Sequence, residues 1–334
     1  MIEVRDLFKY YGDRRAVGPL SFAIEEGEIV GLLGLNGAGK TTALRVLACD
    51  LLPSSGTVRV DGIDVVDQPG EVRRRIGYLP DTPPLYTEMT VHEYLRFAAR
   101  LRGVQKADVE RRVRAAEQDT QLEAVSDDLI SSLSHGFRQR VGIAQAVVHD
   151  PRLLILDEPI TGLDPLQIVE MRQLLRGLRG KHTIVLSSHI LTEISETCDR
   201  LLVLRGGEIV ASGTEEELSG RLARGAEVEL TVRAQPVGAA DSVAGNGVAA
   251  LASERLSKVD GVVAVDVLSP REPGSLTFRV ETTRDVRDAL CRALVEANLG
   301  ILEVVRKRRE LEAIFLQLTS SSEESDDDPE ERPS

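Results

Sequence analysis

A glycine-rich segment near the amino terminus constrains this chain more than any other feature. Residues 34–42 read GLNGAGKTT and meet the pattern G-x-x-x-x-G-K-[ST]. The residues that meet it are Gly34, Gly39, Lys40 and Thr41. The apolar run Ile29–Leu33 before the segment predicts a buried strand, and residues 42–48 after it predict a helix. A strand, this loop and a helix in that order predict a phosphate-binding loop in an α/β fold.

Different residues of this loop are expected to contact different parts of a nucleoside triphosphate and its metal ion. Glycines at positions 34, 37 and 39 allow the backbone to turn, so that successive N–H groups meet phosphate oxygens. We expect Lys40 to contact the β- and γ-phosphates during phosphoryl transfer, and the Thr41 hydroxyl to bind Mg²⁺. A nucleoside triphosphate and Mg²⁺ are therefore the expected ligands, and the resemblance described below implies that the nucleotide is ATP. The other loop residues expected to contact the nucleotide are Leu35, Asn36, Gly37, Ala38 and Thr42.

Two adjacent carboxylates follow a second apolar run. Leu153–Leu156 predicts a strand that is buried on both faces of a parallel sheet. It is followed by Asp157 and Glu158, at the place where open α/β sheets bind their ligands. Asp157 suits Mg²⁺, which prefers oxygen ligands, and Glu158 suits a general base that acts on the attacking water. An ordinary acidic pair at a strand end is the alternative interpretation.

A third segment lies between these two motifs and reads LSHGFRQR over residues 133–140. Together the three motifs resemble those of the nucleotide-binding subunits of ABC (ATP-binding cassette) transporters, whose signature is close to LSGGQ. Ser134 and Gly136 match the family positions that contact the nucleotide bound to the opposite subunit. His135 and Phe137 depart from that signature and resemble the branch that serves ABC-2 type exporters. A helix cap formed by Ser134 is the alternative interpretation.

The resemblance implies roles for several further residues. Tyr11 matches the residue that stacks on adenine, and Tyr10 is the competing candidate. Asp164 belongs to a segment that resembles the loop at which two cassettes touch, and His189 matches the switch histidine that contacts the γ-phosphate. Asp81 stands where the family usually has Gln. Because Asp is short and only accepts hydrogen bonds, we expect it to contact Mg²⁺ through water.

The length of the chain predicts more than one domain. At 334 residues it exceeds the usual size of a single hydrophobic core. The resemblance implies that residues 1–220 form a cassette with a RecA-like core, an antiparallel β subdomain and a helical subdomain at residues 82–150. Apolar residues recur at helical spacing in that subdomain, namely Val91, Tyr94, Leu95, Ala98 and Leu101. Residues 201–210 predict a hairpin around two glycines.

Residues 225–319 predict a smaller α+β domain. Strands are expected at residues 228–232, 262–268, 276–281 and 301–305, helices at residues 251–259 and 286–297, and a loop at residues 235–247. This βαββαβ order is the ferredoxin-like arrangement. It resembles the carboxyl-terminal appendage of ABC-2 type cassettes, and residues 311–319, LEAIFLQLT, are similar to the ending of those proteins.

Charge and composition exclude some classes of partner. The net charge is −13, and residues 320–334 hold seven acids and one arginine, so we expect a disordered acidic tail. An acidic chain without a basic stripe argues against nucleic-acid binding. The three cysteines are widely spaced and predict reduced, buried thiols. Neither a signal peptide nor an apolar run of about 18 residues is found, so no membrane span is expected.

These observations predict the ATPase subunit of an ABC-2 type exporter. The resemblance implies a separate integral-membrane permease as partner, a location on the cytoplasmic side of the membrane, and a second nucleotide-binding subunit, expected to be another copy of this chain. Two alternatives stay open from the sequence. One is a soluble ABC-family ATPase that acts in translation or DNA repair, and the other is a nucleotide-sensing module that recruits a partner without transport.

Overall fold

The computed structural model describes residues 1–222, 226–233, 244–269 and 274–307. These residues form two compact units, of which the first covers Met1–Glu215 and the second begins at Glu216. Some sequence predictions fall wholly or partly outside the described residues, namely the loop of residues 235–247, the terminal segment of residues 311–319 and the acidic tail of residues 320–334. Within the described part of the chain, no helix is both long enough and apolar enough to cross a membrane.

The first unit is a mixed α/β structure. Its strands are β1 (Ile2–Tyr11), β2 (Arg14–Ile24), β3 (Ile29–Leu33), β4 (Ser55–Val60), β5 (Ile63–Asp64), β6 (Ile76–Leu79), β7 (Leu153–Leu156), β8 (Thr183–Ser188), β9 (Arg200–Arg205) and β10 (Glu208–Gly213). Its helices are α1 (Lys40–Leu47), α2 (Pro69–Arg75), α3 (Val91–Leu101), α4 (Val109–Asp119), α5 (His135–Val147), α6 (Pro165–Leu178) and α7 (Leu191–Ile194). Helix α8 (Glu215–Leu222) begins at the last residue of this unit and otherwise belongs to the second unit. Short 3₁₀ turns cover Glu123–Val125 and Ile130–Ser132.

A six-stranded sheet organises this unit, with the strand order β10-β9-β3-β8-β7-β6. All neighbours are parallel except β10, which pairs antiparallel with β9 as the predicted hairpin. Every residue of β3 and β7 is buried, as their continuous apolar sequences require. Because β3, β6, β7 and β8 run in the same direction, the segments that follow them meet at one edge of the sheet.

A second, antiparallel sheet has the order β2-β1-β4-β5. Its inward apolar side chains share one core with helix α1 and with one face of the central sheet. Leu7 and Leu20 from the antiparallel sheet, Leu44 from α1 and Val30 from β3 are all buried in this core. The core therefore fixes the β1–β2 hairpin beside the loop that joins β3 to α1.

Helix α3 begins at a capping box, in which the Thr90 hydroxyl accepts from the Glu93 N–H and the Glu93 carboxylate accepts from the Thr90 N–H. The predicted apolar stripe is buried except at its last position, since Leu101 is 75% exposed. At about 100° per residue, position 101 lies roughly 80° away from the direction of Val91. Position 102 lies only about 20° from the direction of Val91, but the residue there is an arginine. Inclusion of Leu101 in the stripe was therefore wrong.

The second unit has the elements β11 (Ala226–Arg233), α9 (Ala244–Ser257), β12 (Val262–Leu268), β13 (Ser275–Thr282), α10 (Arg287–Glu296) and β14 (Ile301–Lys307). Its sheet has the order β12-β13-β11-β14 with antiparallel neighbours throughout, which is the order that a ferredoxin-like βαββαβ chain predicts. One boundary was wrong, because α9 begins inside the predicted loop of residues 235–247. Val248, Ala252 and Leu256 are buried at a spacing of four, so packing outweighs the weak helix propensity of the neighbouring glycines.

Candidate functional site

The loop between β3 and α1 has the backbone that its glycines predict. Gly37 and Gly39 have φ angles of 83° and 101°, in the left-handed region. A Cβ atom on Gly34 would lie 2.7 Å from the carbonyl oxygen of Leu204, so this position admits no side chain. The Lys40 Nζ atom donates to the carbonyl oxygen of Gly34 at 2.8 Å. The loop therefore curves around a buried ammonium group.

A cavity of about 600 Å³ opens beside this loop. The predicted residues that line it are Tyr11, Asn36, Gly37, Gly39, Lys40, Thr41, Thr42, Asp81, Glu158 and His189. Four further lining residues were not predicted as site residues, namely Arg14, Arg15, Ala16 and Thr161. The first three begin strand β2, and only the pairing of β2 with β1 brings them to the cavity. Short sequence motifs carry no signal for such a contact.

Glu158 is the most constrained side chain of the site. Its Oε1 atom lies 3.3 Å from the Lys40 Nζ atom. Its Oε2 atom accepts from the Thr161 hydroxyl at 2.7 Å and lies 2.9 Å from the His189 Nδ1 atom. Burial opposes ionisation, but the hydrogen bonds from Thr161 and His189 and the charge of Lys40 outweigh it, so the pKa of Glu158 lies below its ordinary value. Its φ of 49° also places a non-glycine residue in the left-handed region.

Asp157 is buried next to it and has an incomplete set of contacts. Its Oδ1 atom accepts from the Ser187 hydroxyl at 2.6 Å, and the same hydroxyl accepts from the Glu158 N–H at 2.8 Å. Burial, with smaller contributions from the charges of Asp81 and Glu158, raises the pKa of Asp157 against the hydrogen bonds from Ser187 and Thr41. Ser187 belongs to β8, and no local sequence pattern signals its bridging contact.

The surroundings of Asp157 fit a magnesium ion. Its Oδ2 atom is buried and has no hydrogen-bond partner among the described residues, and the neighbouring Thr41 hydroxyl acts to lower the pKa of the carboxylate. Carboxylate and hydroxyl oxygens are ligands that Mg²⁺ accepts, usually one or two from the protein with the remainder from phosphate and water. Residues 1–222, 226–233, 244–269 and 274–307 contain no cluster of three or more His, Cys, Asp or Glu side chains suited to a metal. A metal held jointly with a nucleotide needs no such cluster.

The β1–β2 hairpin contributes several residues to the lining of the cavity. Tyr11 is 48% exposed and lines the cavity, whereas Tyr10 stacks on Phe8 with ring centroids 6.3 Å apart and does not line it. The structure therefore brings Tyr11, and not Tyr10, to the cavity. Asp81, at the end of β6, is exposed and lines the cavity too, and its charge contributes to the raised pKa of Asp157.

Seven predicted residues do not line this cavity, namely Gly34, Leu35, Ala38, Ser134, Gly136, Asp157 and Asp164. Of these, Ser134 and Asp164 cap helices. Ser134 accepts from the Phe137 N–H at 3.4 Å at the start of α5, and Asp164 accepts from the Gln167 N–H at 2.9 Å at the start of α6. A Cβ atom on Gly136 would lie 2.8 Å from the side-chain oxygen of Gln167, so the two helix starts pack closely. Such caps satisfy orphan N–H groups within one chain. A capping contact within the chain is compatible with a second contact to a nucleotide bound to another chain.

Comparison with known proteins identifies the class. The family profile described as ABC transporter matches residues 17–161. The chain is 39% identical over 224 residues to the ABC transporter ATP-binding protein NatA of Bacillus subtilis (strain 168), which covers 65% of this chain and 91% of that protein. It is 38% identical over 234 residues to the bacitracin transport ATP-binding protein BcrA of Enterococcus faecalis, which covers 69% and 75%. The chain belongs to the ABC transporter ATP-binding protein family.

Solved structures agree with this assignment. A structure of the ATP-binding subunit of an ABC transporter matches with a TM-score of 0.60 and 34% identity, over 67% of this chain and 93% of that chain. A dimeric, post-hydrolysis ATP-binding cassette bound to ADP and Pi matches with a TM-score of 0.59 and 25% identity, over 64% and 98%. The predicted cassette fold is confirmed, and the chain is an ATP-binding ATPase of this family.

Proposed function

We propose that this ATPase drives export through a separate integral-membrane permease of the ABC-2 type, to which it binds on the cytoplasmic face. The observation that carries the proposal is the convergence of Lys40, Glu158 and His189 on one cavity, since phosphoryl transfer needs a cation for the phosphates and a polar group that orients the attacking water. The relative from Enterococcus faecalis that serves bacitracin transport supports an export role. Hydrolysis then supplies motion to the permease rather than a chemical product.

The contact between Lys40 and Glu158 links ATP binding at the lysine to the availability of the carboxylate. The Lys40 ammonium lies 3.3 Å from the Glu158 carboxylate. The γ-phosphate of ATP competes for the same ammonium and so frees the carboxylate to face the attacking water. Because hydrogen bonds hold its pKa low, we assign Glu158 mainly to orienting that water, with His189 fixing the carboxylate.

Asp157, Thr41 and Asp81 are the proposed Mg²⁺ group. The first two offer a buried carboxylate oxygen without a partner and a neighbouring hydroxyl, and Asp81 lines the cavity within electrostatic reach. When bound, the ion neutralises charge that develops on the transferring phosphoryl group. Burial raises the pKa of Asp157, and a cation beside the carboxylate would stabilise its ionised form.

Two cassettes are proposed to act as a pair, with Ser134 and Gly136 of each chain contacting the nucleotide of the other. These residues lie outside their own chain's cavity, which supports action between chains. The test is to mix a Lys40→Ala chain with a Ser134→Arg chain. In the heterodimer one composite site carries both changes and the other carries neither, so ATPase activity should return on mixing. Continued inactivity of a verified heterodimer would refute shared sites.

The proposed docking surface for the permease consists of Leu85, Tyr86 and Met89. Tyr86 is 53% exposed and packs edge-on against Tyr94 and Phe97, with ring centroids 6.1 and 5.4 Å away. Tyr86 is therefore an exposed aromatic ring that packs against two other rings, and it lies five residues after Asp81, which lines the cavity. An exposed apolar group of this kind commonly marks a protein interface.

The docking experiment uses the double variant Leu85→Asp with Tyr86→Asp, co-expressed with the permease. We expect normal ATPase activity of the isolated chain and loss of co-purification and transport. Leu52→Asp is the matched control, because Leu52 is 63% exposed elsewhere in the first unit. Wild-type co-purification and transport by the double variant would show that docking uses another surface. We also propose that residues 1–220 carry these functions and that residues 225–319 form an accessory domain.

A further inference from the structure

The β1–β2 hairpin brings an arginine beside the tyrosine of the cavity. Tyr11 and Arg14 are direct register partners in this antiparallel pair. Residues directly opposite each other in such a pair project their side chains from the same face, with Cβ atoms about 5 Å apart. Both residues line the cavity. The hairpin side of the cavity therefore presents an aromatic ring and a guanidinium side by side.

Arg14 differs from the other cationic side chains of the cavity in having no acidic partner within the described residues. Lys40 lies 3.3 Å from Glu158, and Arg15 lies 2.8 Å from Glu208. No ion pair or side-chain hydrogen bond involves the exposed guanidinium of Arg14 in the described part of the chain. A chain with a net charge of −13 has many carboxylates that could neutralise it. The cavity thus keeps one uncommitted, planar cation.

We infer that Arg14 is a nucleotide-binding residue that contacts the base, together with Tyr11. The guanidinium is planar and weakly hydrated, so it stacks on aromatic faces in a way that an ammonium group does not. The phosphates of ATP belong at Lys40, and the base then reaches the hairpin side of the cavity. Arg15 adjoins Arg14 but is held by Glu208, so it does not share this role. The assignment of Arg14 rests on the proposed stacking role of Tyr11.

The experiment compares four variants of the full chain, Arg14→Gln, Arg14→Lys, Arg15→Gln and Tyr11→Ala. Dissociation constants are measured by calorimetry for ATP and for inorganic tripolyphosphate, which lacks a base. We expect Arg14→Gln and Arg14→Lys each to weaken ATP binding about 5- to 20-fold, the range for a cation stacked on a π system. Both should leave tripolyphosphate binding within twofold, and Arg15→Gln should leave ATP binding within twofold. The circular dichroism spectra should be unchanged, because Arg14 is exposed.

Three results would overturn the inference. The first is an ATP affinity of Arg14→Gln within twofold of wild type. The second is an equal loss of affinity for tripolyphosphate, which would assign the guanidinium to the phosphates. The third is full recovery in Arg14→Lys, which would reduce its role to charge alone. Tyr11→Ala reports separately on the stacking platform, so a failure of that proposed role is distinguishable from a failure of Arg14.

Discussion

Replacement of Glu158 by glutamine should separate ATP binding from hydrolysis in this protein. The glutamine side chain has nearly the same shape, and it can still accept from the Thr161 hydroxyl that now donates to Oε2 at 2.7 Å. It cannot carry the negative charge that lies 3.3 Å from the Lys40 ammonium. The variant therefore removes the charge of the group proposed to orient water, and it also frees Lys40, the residue proposed to bind the phosphates.

The structure sets the size of both effects. Loss of a positioned base costs about 10²–10⁴ in turnover rate. At an effective dielectric constant of about 20, the attraction between Lys40 and Glu158 at 3.3 Å amounts to about 5 kcal/mol before solvation offsets it. A charge-assisted hydrogen bond keeps about 1.5–3 kcal/mol after that offset. Because ATP no longer has to break this contact, we expect ATP to bind about tenfold more tightly to Glu158→Gln.

Single-turnover phosphate release and calorimetric titration with ATP measure the two effects separately, and size-exclusion chromatography reports whether an ATP-bound dimer accumulates. Glu193→Gln is the matched control. Glu193 is also a buried carboxylate near His189, but it accepts from the Ser188 hydroxyl at 2.8 Å and does not line the cavity. We expect its turnover to stay within about threefold of wild type, the scale of a modest electrostatic change. A Glu158→Gln protein that hydrolyses ATP at the wild-type rate would refute the role of this carboxylate.

Further predictions concern stability and the support of the loop. Asp157→Asn should abolish Mg²⁺-dependent hydrolysis. It should also raise the melting temperature of the protein without nucleotide by about 2–4 °C, because it removes a carboxylate whose ionised form is disfavoured by burial. Differential scanning calorimetry measures this melting temperature. Gly207→Ala should weaken ATP binding more than Gly206→Ala. Both glycines have positive φ, but a Cβ on Gly207 would lie 2.9 Å from the Ala16 carbonyl oxygen beside the phosphate loop, and one on Gly206 would meet nothing within 4 Å; equal affinities would contradict this. Burial lowers the pKa of His149 from 6.5 to about 4, so the unfolded chain binds more protons in this window and stability falls as the pH decreases from 6.5 to 4. His149→Gln should flatten that dependence of the melting temperature on pH, and an unchanged slope would count against it.

Much of the nucleotide site could be predicted from the sequence because its parts are local. The glycines at positions 34, 37 and 39 sit in one loop whose conformation they determine, and that loop follows directly on an apolar strand. Asp157 and Glu158 follow another such strand, and His189 follows a third. Parallel strands in one sheet end at one edge, so residues far apart in the chain were expected to meet there.

Contacts between segments without a local pattern could not be predicted. Leu101 has helical spacing from Ala98, but the buried face of its helix passes through position 102, and only packing shows which face that is. The start of α9 at Ala244 depends likewise on Val248 reaching the core of the second unit. Local propensity does not contain this information, since tertiary burial outweighs differences of about 1 kcal/mol per residue.

The amino-acid sequence by itself predicted the class of protein, its ligand and the residues proposed to contact the phosphates, because short segments of backbone and strand ends carry these features. Tertiary structure alone decided which charges are paired. It set Lys40 against Glu158 and Arg15 against Glu208, left Arg14 without an acidic partner among the described residues, and buried one oxygen of Asp157 without a hydrogen bond. Coulomb interactions depend on distances between side chains from different segments, and folding alone sets those distances.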